Sequence, residues 1–390
     1  KPTYRMTLDF RALNALTERD AYPLSSVESN LAALGKATLF STADLLMGFH
    51  QAELEEHDGS RLKTAFGTPW GQFCYKRMPM GLTSSPGCFM RLVDSALRGL
   101  PPGMALAYAD DVITATEGDM AKHMEAVTTV FGRLIEAGFT VRCDKIHVGM
   151  RSVPYLGFIV GGEGTRPNPE KTSALLDMAM EQLIREPSSI GRFAGMIGVY
   201  SRYIPNCQLL LAPFHDMKAK GADTTKVETW RMRSGFAALK RLLAEATALA
   251  RPDFEKLFYI DVDSATVGGV GMVLTQREIA DDPDTHRPLS FQSHKFTDNE
   301  KAFTIRDQEC FGLYKSLQQW RHLLMGARCV VRTDHKSLQW LMRNTHPDGS
   351  RVSGWALKLQ EFDVEIKWVE GKNHVAADCL SRAFNWRDLD

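Results

Sequence analysis

Two aspartates stand side by side in Tyr108-Ala109-Asp110-Asp111, between the apolar runs Met104 to Ala107 and Val112 to Ile113. Two short strand-like segments joined by a tight connection read as a hairpin, which places both carboxylates at its tip, where they can share divalent cations. An Asp-Asp pair alone is more often a solvated turn, because aspartate suits turn positions. A third carboxylate changes the balance: Leu39-Phe40-Ser41-Thr42-Ala43-Asp44 is an apolar strand ending in Asp44, followed by Phe49-His50-Gln51. Three carboxylates on two neighbouring strands are the minimum for two Mg²⁺ ions, one to activate an attacking 3′-hydroxyl and one to hold a triphosphate leaving group. The chemistry in view is nucleotidyl transfer.

A second acidic set lies towards the other end of the chain. In Phe258 to Asp263, strand alternation puts Tyr259, Asp261 and Asp263 on one face and Phe258, Ile260 and Val262 on the other, so two carboxylates compete for one ligand position. Glu309, at the head of a helix, continues the stripe Leu313, Leu317, Trp320 and Leu324. A carboxylate on an apolar stripe is costly unless it is paired or bound to metal, although acidic residues also favour a first helical turn. Cys329 to Thr333 is a strand ending at Asp334, and Val375 to Arg382 carries Asp378.

The elements that must position these groups follow from pattern. With 390 residues, 44% hydrophobic and 24% charged, the chain can bury large cores in two or three domains. No stretch approaches the roughly 18 uninterrupted apolar residues of a membrane helix. The start, Lys1-Pro2-Thr3, is neither a signal peptide nor an initiator methionine, and the expectation is a chain that begins inside a longer polypeptide. Seven cysteines, an odd number without a C-x-x-C pair, signal neither a disulfide framework nor a zinc site. They read as small apolar core residues in a reducing compartment. Basic and acidic residues balance at 47 each, which counts against a nucleic-acid binder unless a basic groove is offset by the acidic clusters. Lys63, Lys76 and Arg77 suit either template phosphates or solvated surface.

No low-complexity tract or internal repeat divides the chain. Residues 1–160 mix short strands and helices, including an amphipathic helix near Met120 to Ala137 with Met124, Val127, Phe131 and Leu134 inward and Gly138 as its stop. Gly161 to Pro169 breaks the pattern and leads into helices around Lys171 to Leu183 and Ser189 to Tyr203. A helix over Ala237 to Ala250 ends at Arg251-Pro252-Asp253, before a strand at Leu257. The expected parts are therefore 1–160, 161–250 and 251–390.

The series Leu8-Asp9-Phe10-Arg11-Ala12-Leu13-Asn14, Phe40 to Gln51, Lys63-Thr64-Ala65-Phe66, Met78-Pro79-Met80-Gly81-Leu82-Thr83, Tyr108 to Asp111 and Tyr155-Leu156-Gly157 resembles a reverse transcriptase. More narrowly it is similar to the polyprotein of Gypsy-type LTR retrotransposons, in order over nearly all of the chain. The resemblance implies an α+β, right-hand polymerase fold of fingers, palm and thumb, followed by a ribonuclease H-like domain with a mixed sheet. It carries Asp44, Asp110 and Asp111 over as the metal-binding triad. Phe49 falls where an aromatic lies under the sugar of the incoming nucleotide and blocks a 2′-hydroxyl; the plain alternative is a core aromatic. Arg5 matches an arginine that contacts the triphosphate, where a planar fork suits phosphate oxygens. Met80 replaces the usual phenylalanine beside the nucleotide. Leu156 and Gly157 match a segment that grips the primer end, with strand packing as the alternative. Ala109 stands where relatives often carry a larger side chain, and is expected to loosen the hairpin.

Arg166, Lys171, Arg192 and Arg202 are implied duplex contacts of the thumb. Asp263, Glu309, Asp334 and Asp378 resemble the ribonuclease H tetrad, with Asp263 aligning better than Asp261 despite an extra residue around Gly268-Gly269. His374 is either a proton shuttle or an exposed loop histidine. The implied activity is an RNA-directed DNA polymerase with ribonuclease H, using Mg²⁺, two per site, or Mn²⁺, and no organic cofactor. The implied partners are an RNA template, a DNA primer, the RNA–DNA hybrid and deoxynucleoside triphosphates, with no membrane and room for a dimer, in cytoplasm or virus-like particles. The rival reading is a catalytically decayed or domesticated remnant that only binds nucleic acid. Neutral charge, Ala109 and the extra glycine favour it; the intact carboxylates oppose it.

Overall fold

Contacts divide the chain after Gly162 into two units. The computed structural model describes residues 6–18, 20–186, 188–218, 230–265, 269–279, 282, 285–340 and 351–370. Arg5, His374, Asp378 and Cys379 lie outside the described residues, as does the side chain of Asp263.

The first unit opens with α1 (Arg11–Leu16) and α2 (Val27–Ala33), the latter capped by Ser26, whose hydroxyl accepts from the Ser29 amide at 3.0 Å. In chain order follow β1 (Leu39–Asp44), β2 (Phe66–Thr68), β3 (Gly71–Phe73), α3 (Ser85–Leu97), β4 (Ala105–Tyr108), β5 (Asp111–Thr116), α4 (Met120–Glu136), β6 (His147–Met150), β7 (Ser152–Tyr155) and β8 (Phe158–Gly161). Four strands pair antiparallel in the order β4-β5-β1-β6. Helices α3 and α4 pack against this sheet, and Phe89, Val93, Val112, Val130 and Leu134 are buried between the layers. Each such side chain contributes roughly 1.5–3 kcal/mol. A sheet held this firmly fixes strand register, and register decides which side chains meet at its end.

Asp119 caps α4 by accepting from the Lys122 amide at 2.9 Å, and the helix stops before Gly138. Its buried face is His123, Ala126, Val127, Val130 and Leu134; Met124, expected inside, is 42% exposed. A histidine takes the place assigned to an apolar residue because its ring is satisfied on both sides. Nε2 meets Ser41 Oγ and Nδ1 meets Thr116 Oγ1, each at 2.7 Å.

The second unit runs β9 (Gly164–Pro167), α5 (Pro169–Leu176), α6 (Met180–Arg185), α7 (Ser188–Val199), α8 (Cys207–Lys218) and α9 (Trp230–Ala244), then β10 (Phe258–Ala265), β11 (Gly269–Arg277), β12 (His286–Lys295), α10 (Asp298–Lys301), α11 (Ile305–Gln319), α12 (Arg321–Leu324), β13 (Arg328–Thr333), α13 (Arg351–Leu359) and β14 (Asp363–Trp368). The sheet order is β12-β11-β10-β13-β14, antiparallel across the first three strands and parallel across the last three. Phe193, Phe214 and Phe236 knit α7, α8 and α9, with ring centroids 5.2 and 4.8 Å from Phe193.

Helix α8 and the 3-10 turn Ser201–Tyr203 before it contact the sheet: the Gln208 amide donates to Ser293 Oγ and Arg202 Nη2 to the Leu289 carbonyl, both at 2.9 Å. Arg202 is thus committed to the strand rather than standing free. Helix α9 ends at Ala244, short of the expected Ala250, because Leu249 leaves to exchange two 2.8 Å backbone hydrogen bonds with Thr165. Tertiary pairing overrides local propensity there. Cys207, Cys310 and Cys329 are buried, and burial pushes each thiol up to about 12; Cys74 and Cys143 are exposed, against the core reading. Among the described residues no helix is long and apolar enough to cross a membrane.

Candidate active sites

The β1–β5 pairing sets Asp44 directly opposite Asp111, and the β4–β5 pairing sets Tyr108 opposite Asp111 from the other side. Residues Ala109 and Asp110 make the two-residue turn between. Ala109 has φ 51°, a left-handed conformation in which a β-branched residue would be strained. Alanine carries the Cβ that makes this conformation costly, so Ala109 is strained there. The Leu45 amide donates to the Asp110 carbonyl at 2.7 Å, tying the turn to the end of β1.

Asp44 Oδ2 lies 3.3 Å from Lys145 Nζ and 3.7 Å from Arg142 Nη1. Neither cation was singled out from the sequence, where they are ordinary basic residues a hundred positions away. Among the described residues no group of three or more His, Cys, Asp or Glu side chains is gathered closely enough to hold an ion. The backbone register brings the three aspartates to one end of the sheet. Even so, the donors fit a divalent cation: they are hard oxygens on paired strands. Like charges directly opposite are unfavourable without a compensating cation, a role Lys145 and Arg142 fill in part.

Close packing fixes Asp110. Gly48, buried after Met47 at φ 52°, lies so near that a Cβ built on it would fall on the Asp110 carboxylate and 3.0 Å from Phe89 Cζ. The next residue, Phe49, is half-buried, its ring edge-on to Phe89 at 5.5 Å and 80°. It packs at the border of the core, as the core-aromatic reading expects. Gln51 staples the loop: its Nε2 donates to Leu46 and Thr140 carbonyls at 2.6 and 3.1 Å, and its Oε1 accepts from the Thr140 amide at 2.6 Å.

Met80 is half-buried in a loop clamped from α1. Asn14 Nδ2 donates to the Gly81 carbonyl at 2.8 Å and Asn14 Oδ1 accepts from Thr83 at 2.9 Å. Leu156 and Gly157 form the β7–β8 turn with φ 50° and 87°, both left-handed, as a primed two-residue hairpin requires. Leucine is strained there by roughly 1–2 kcal/mol. Burial raises the phenol of adjacent Tyr155 above the ordinary range, and Asp111 adds to the rise. Lys63, Lys76 and Arg77 are exposed, Arg77 bonding the Gln51 carbonyl at 2.7 Å and Glu53 at 3.1 Å.

In the second unit, β10 and β13 run parallel with Asp261 opposite Arg332. Asp263 and Asp334 each follow these last paired positions by two residues. Asp334 is exposed, and its carbonyl accepts from Trp368 Nε1 at 2.9 Å. Asp261 is 0% exposed, and its Oδ2 lies 2.5 Å from Arg332 Nη2. Its Oδ2 is thus engaged by a guanidinium. Glu309 is 8% exposed on α11, which packs on β10 and β11. Gly312, one turn on, permits this approach, since a Cβ there would lie 2.8 Å from Val270 and 3.1 Å from Val262 side chains.

Comparison with known proteins places this geometry. Residues 1–160 match the family profile of the reverse transcriptase (RNA-dependent DNA polymerase), and residues 253–362 that of the RNase H-like domain found in reverse transcriptase. Such domains use divalent metal ions. Among curated relatives, the retrovirus-related Pol polyprotein from transposon 297 of Drosophila melanogaster is 32% identical over 97% of this chain and 34% of its own length. That from transposon gypsy of the same species is 31% identical over 98% and 36%, and the transposon Tf2-3 polyprotein of Schizosaccharomyces pombe 27% over 97% and 28%. The chain spans about a third of the length of these relatives. Two solved foamy viral protease-reverse transcriptases, each in complex with double-stranded DNA, share the fold at 22% identity. Their TM-scores are 0.80 and 0.79, over 95% of this chain and 64% and 76% of theirs. The architecture is a mixed α+β, right-hand polymerase fold followed by an RNase H-like domain. The chain thus joins a reverse transcriptase domain to an RNase H-like domain, in the manner of the Gypsy-type LTR retrotransposon Pol polyproteins that it resembles over nearly its whole length.

Proposed function

We propose that the chain is an RNA-directed DNA polymerase with ribonuclease H activity, copying retrotransposon RNA into DNA and degrading the RNA strand of the hybrid. The observation that carries the proposal is Asp44 standing opposite Asp111 with Asp110 at the adjoining turn. In this reading Asp44, Asp110 and Asp111 hold the ions of the first site, and Asp263, Glu309, Asp334 and Asp378 those of the second. Bound Mg²⁺, two per site and replaceable by Mn²⁺, supplies activation of the attacking oxygen and neutralisation of the leaving group. The chain's own part is positional: Arg5 meets the triphosphate, Phe49 and Met80 bound the nucleotide, and Leu156-Gly157 hold the primer end.

The substrates are an RNA template, a DNA primer, deoxynucleoside triphosphates and the RNA–DNA hybrid. A foamy viral relative in fold was solved in complex with an RNA/DNA hybrid, which supports that choice. The working parts are fingers and palm over 1–160, thumb or connection over 161–250 and ribonuclease H over 251–390, acting in cytoplasm or virus-like particles, as monomer or dimer. Extension of oligo(dT) on poly(rA) tests the first activity. Wild type extends, whereas Asp110→Asn loses more than about a hundredfold, the scale of removing one charge-stabilising group. A folded Asp110→Asn protein that extends at the wild-type rate contradicts the assignment. A wild type that binds primer-template without extending it returns the remnant reading.

A further inference from the structure

Beside the second acidic set lies a polar network that the proposed chemistry does not use. It joins strands β10 to β13. Asp261, fully buried, accepts from Arg332, whose side chain is 11% exposed. Arg332 Nη1 and Arg277 Nε each lie 3.2 Å from His286 Nε2, and His286 Nδ1 lies 2.8 Å from Thr275 Oγ1. A guanidinium nitrogen only donates, so Nε2 is the acceptor for both arginines and the proton sits on Nδ1, donated to Thr275. The two guanidinium carbons lie over the Tyr259 ring, at 4.5 Å for Arg277 and 5.6 Å for Arg332.

The network's position gives it a purpose. Asp261 and Arg332 are register partners on parallel strands, and each is two residues before a proposed ligand, Asp263 and Asp334. A side-chain bond across the strands, one pleat before the ligands, limits both sliding and splaying at the strand ends. Parallel strands joined through long connections have no tight turn to set that spacing. Buried ion pairs are weak sources of stability but a recognised means of fixing register. We infer that the Asp261–Arg332 pair, braced by His286, is a positioning device that sets the spacing of Asp263 and Asp334 for metal binding. The inference rests on the ribonuclease H reading for its ligands, but its readout does not require turnover.

The test uses the full chain carrying Asp110→Asn and Asp111→Asn, which silences the first site, and follows Mn²⁺ binding by electron paramagnetic resonance. Asp263→Asn should abolish the remaining tight binding. The double variant Asp261→Leu/Arg332→Met removes both buried charges together, so it avoids the unpaired ion that a single change would bury. It should fold, by circular dichroism, yet bind Mn²⁺ about tenfold more weakly. In a background with an intact first site, its hybrid cleavage should need about tenfold more Mg²⁺, with primer extension unchanged. Wild-type Mn²⁺ affinity in the folded double variant overturns the inference. So does loss of binding in Asp261→Asn with retention in Asp263→Asn, which would make Asp261 itself a ligand. Tight Mn²⁺ binding without hybrid cleavage would refute the nuclease reading while leaving the positioning role to be judged on affinity alone.

Discussion

The two acidic sets are held in opposite ways. In the first unit the carboxylates sit at an open hairpin tip, faced by surface cations that are 57% and 42% exposed and backed by a glycine. In the second, the strands carrying Asp263 and Asp334 are tied beneath the surface by an ion pair that is 11% and 0% exposed. An exposed pair is worth little and yields easily. A buried one constrains.

The sharpest way to break the contrast is at Gly48. A side chain there has to displace the Asp110 carboxylate, so Gly48→Val should cut primer extension by at least about a hundredfold, or about 2.7 kcal/mol of barrier. Hybrid cleavage by the same protein should stay within a few-fold. Loss of both activities in a folded Gly48→Val protein would show that the two sets are not independent. Phe49→Val gives a smaller effect: removing the ring at the core border should lower discrimination against ribonucleotides on the order of tenfold, about 1.4 kcal/mol. An unchanged ratio of incorporation efficiencies would leave Phe49 as packing only.

The smallest effect is on stability against acid. Burial, with Arg332 and Arg277 nearby, lowers His286 to about 4, and burial lowers His123 as well. Between pH 6.5 and 4 the unfolded chain binds a proton at His286 that the folded chain does not, so stability falls as pH falls through that window. One proton corresponds to about 1.4 kcal/mol per pH unit; half-burial reduces this to about 1 kcal/mol. His286→Gln should flatten the fall in melting temperature between pH 6.5 and 4.5. An equally steep fall in that variant would assign the acid sensitivity elsewhere.

What could be read beforehand was local. Asp44, Asp110 and Asp111 could be singled out as a set because strand ends and a turn are encoded by neighbouring residues, and Glu309 because a carboxylate there continues an apolar stripe. The supporting groups are invisible for the converse reason. Lys145 meets Asp44, Gln51 meets Thr140, Asn14 meets Gly81, and Arg332 meets Asp261 across 67 to 101 positions, with no spacing rule to connect them. Gly48 carried a signal of sorts, a glycine between a carboxylate strand and an aromatic, but only the folded position of Asp110 explains it. The end of α9 and the outward turn of Met124 were misread because tertiary pairing at Leu249 and a satisfied histidine at 123 outweigh helix periodicity.

The central claim is that this chain runs two separable metal-dependent chemistries from two carboxylate sets. The most direct test assays one preparation each of Glu309→Gln and Asp111→Asn for both reactions. Glu309→Gln removes one charge from the second set, so cleavage of RNA in a preformed hybrid should fall by more than about a hundredfold while primer extension stays within a few-fold. Asp111→Asn should lose primer extension and still cut the hybrid, which requires no synthesis. Abolition of both activities by Glu309→Gln in a protein that remains folded would contradict the account.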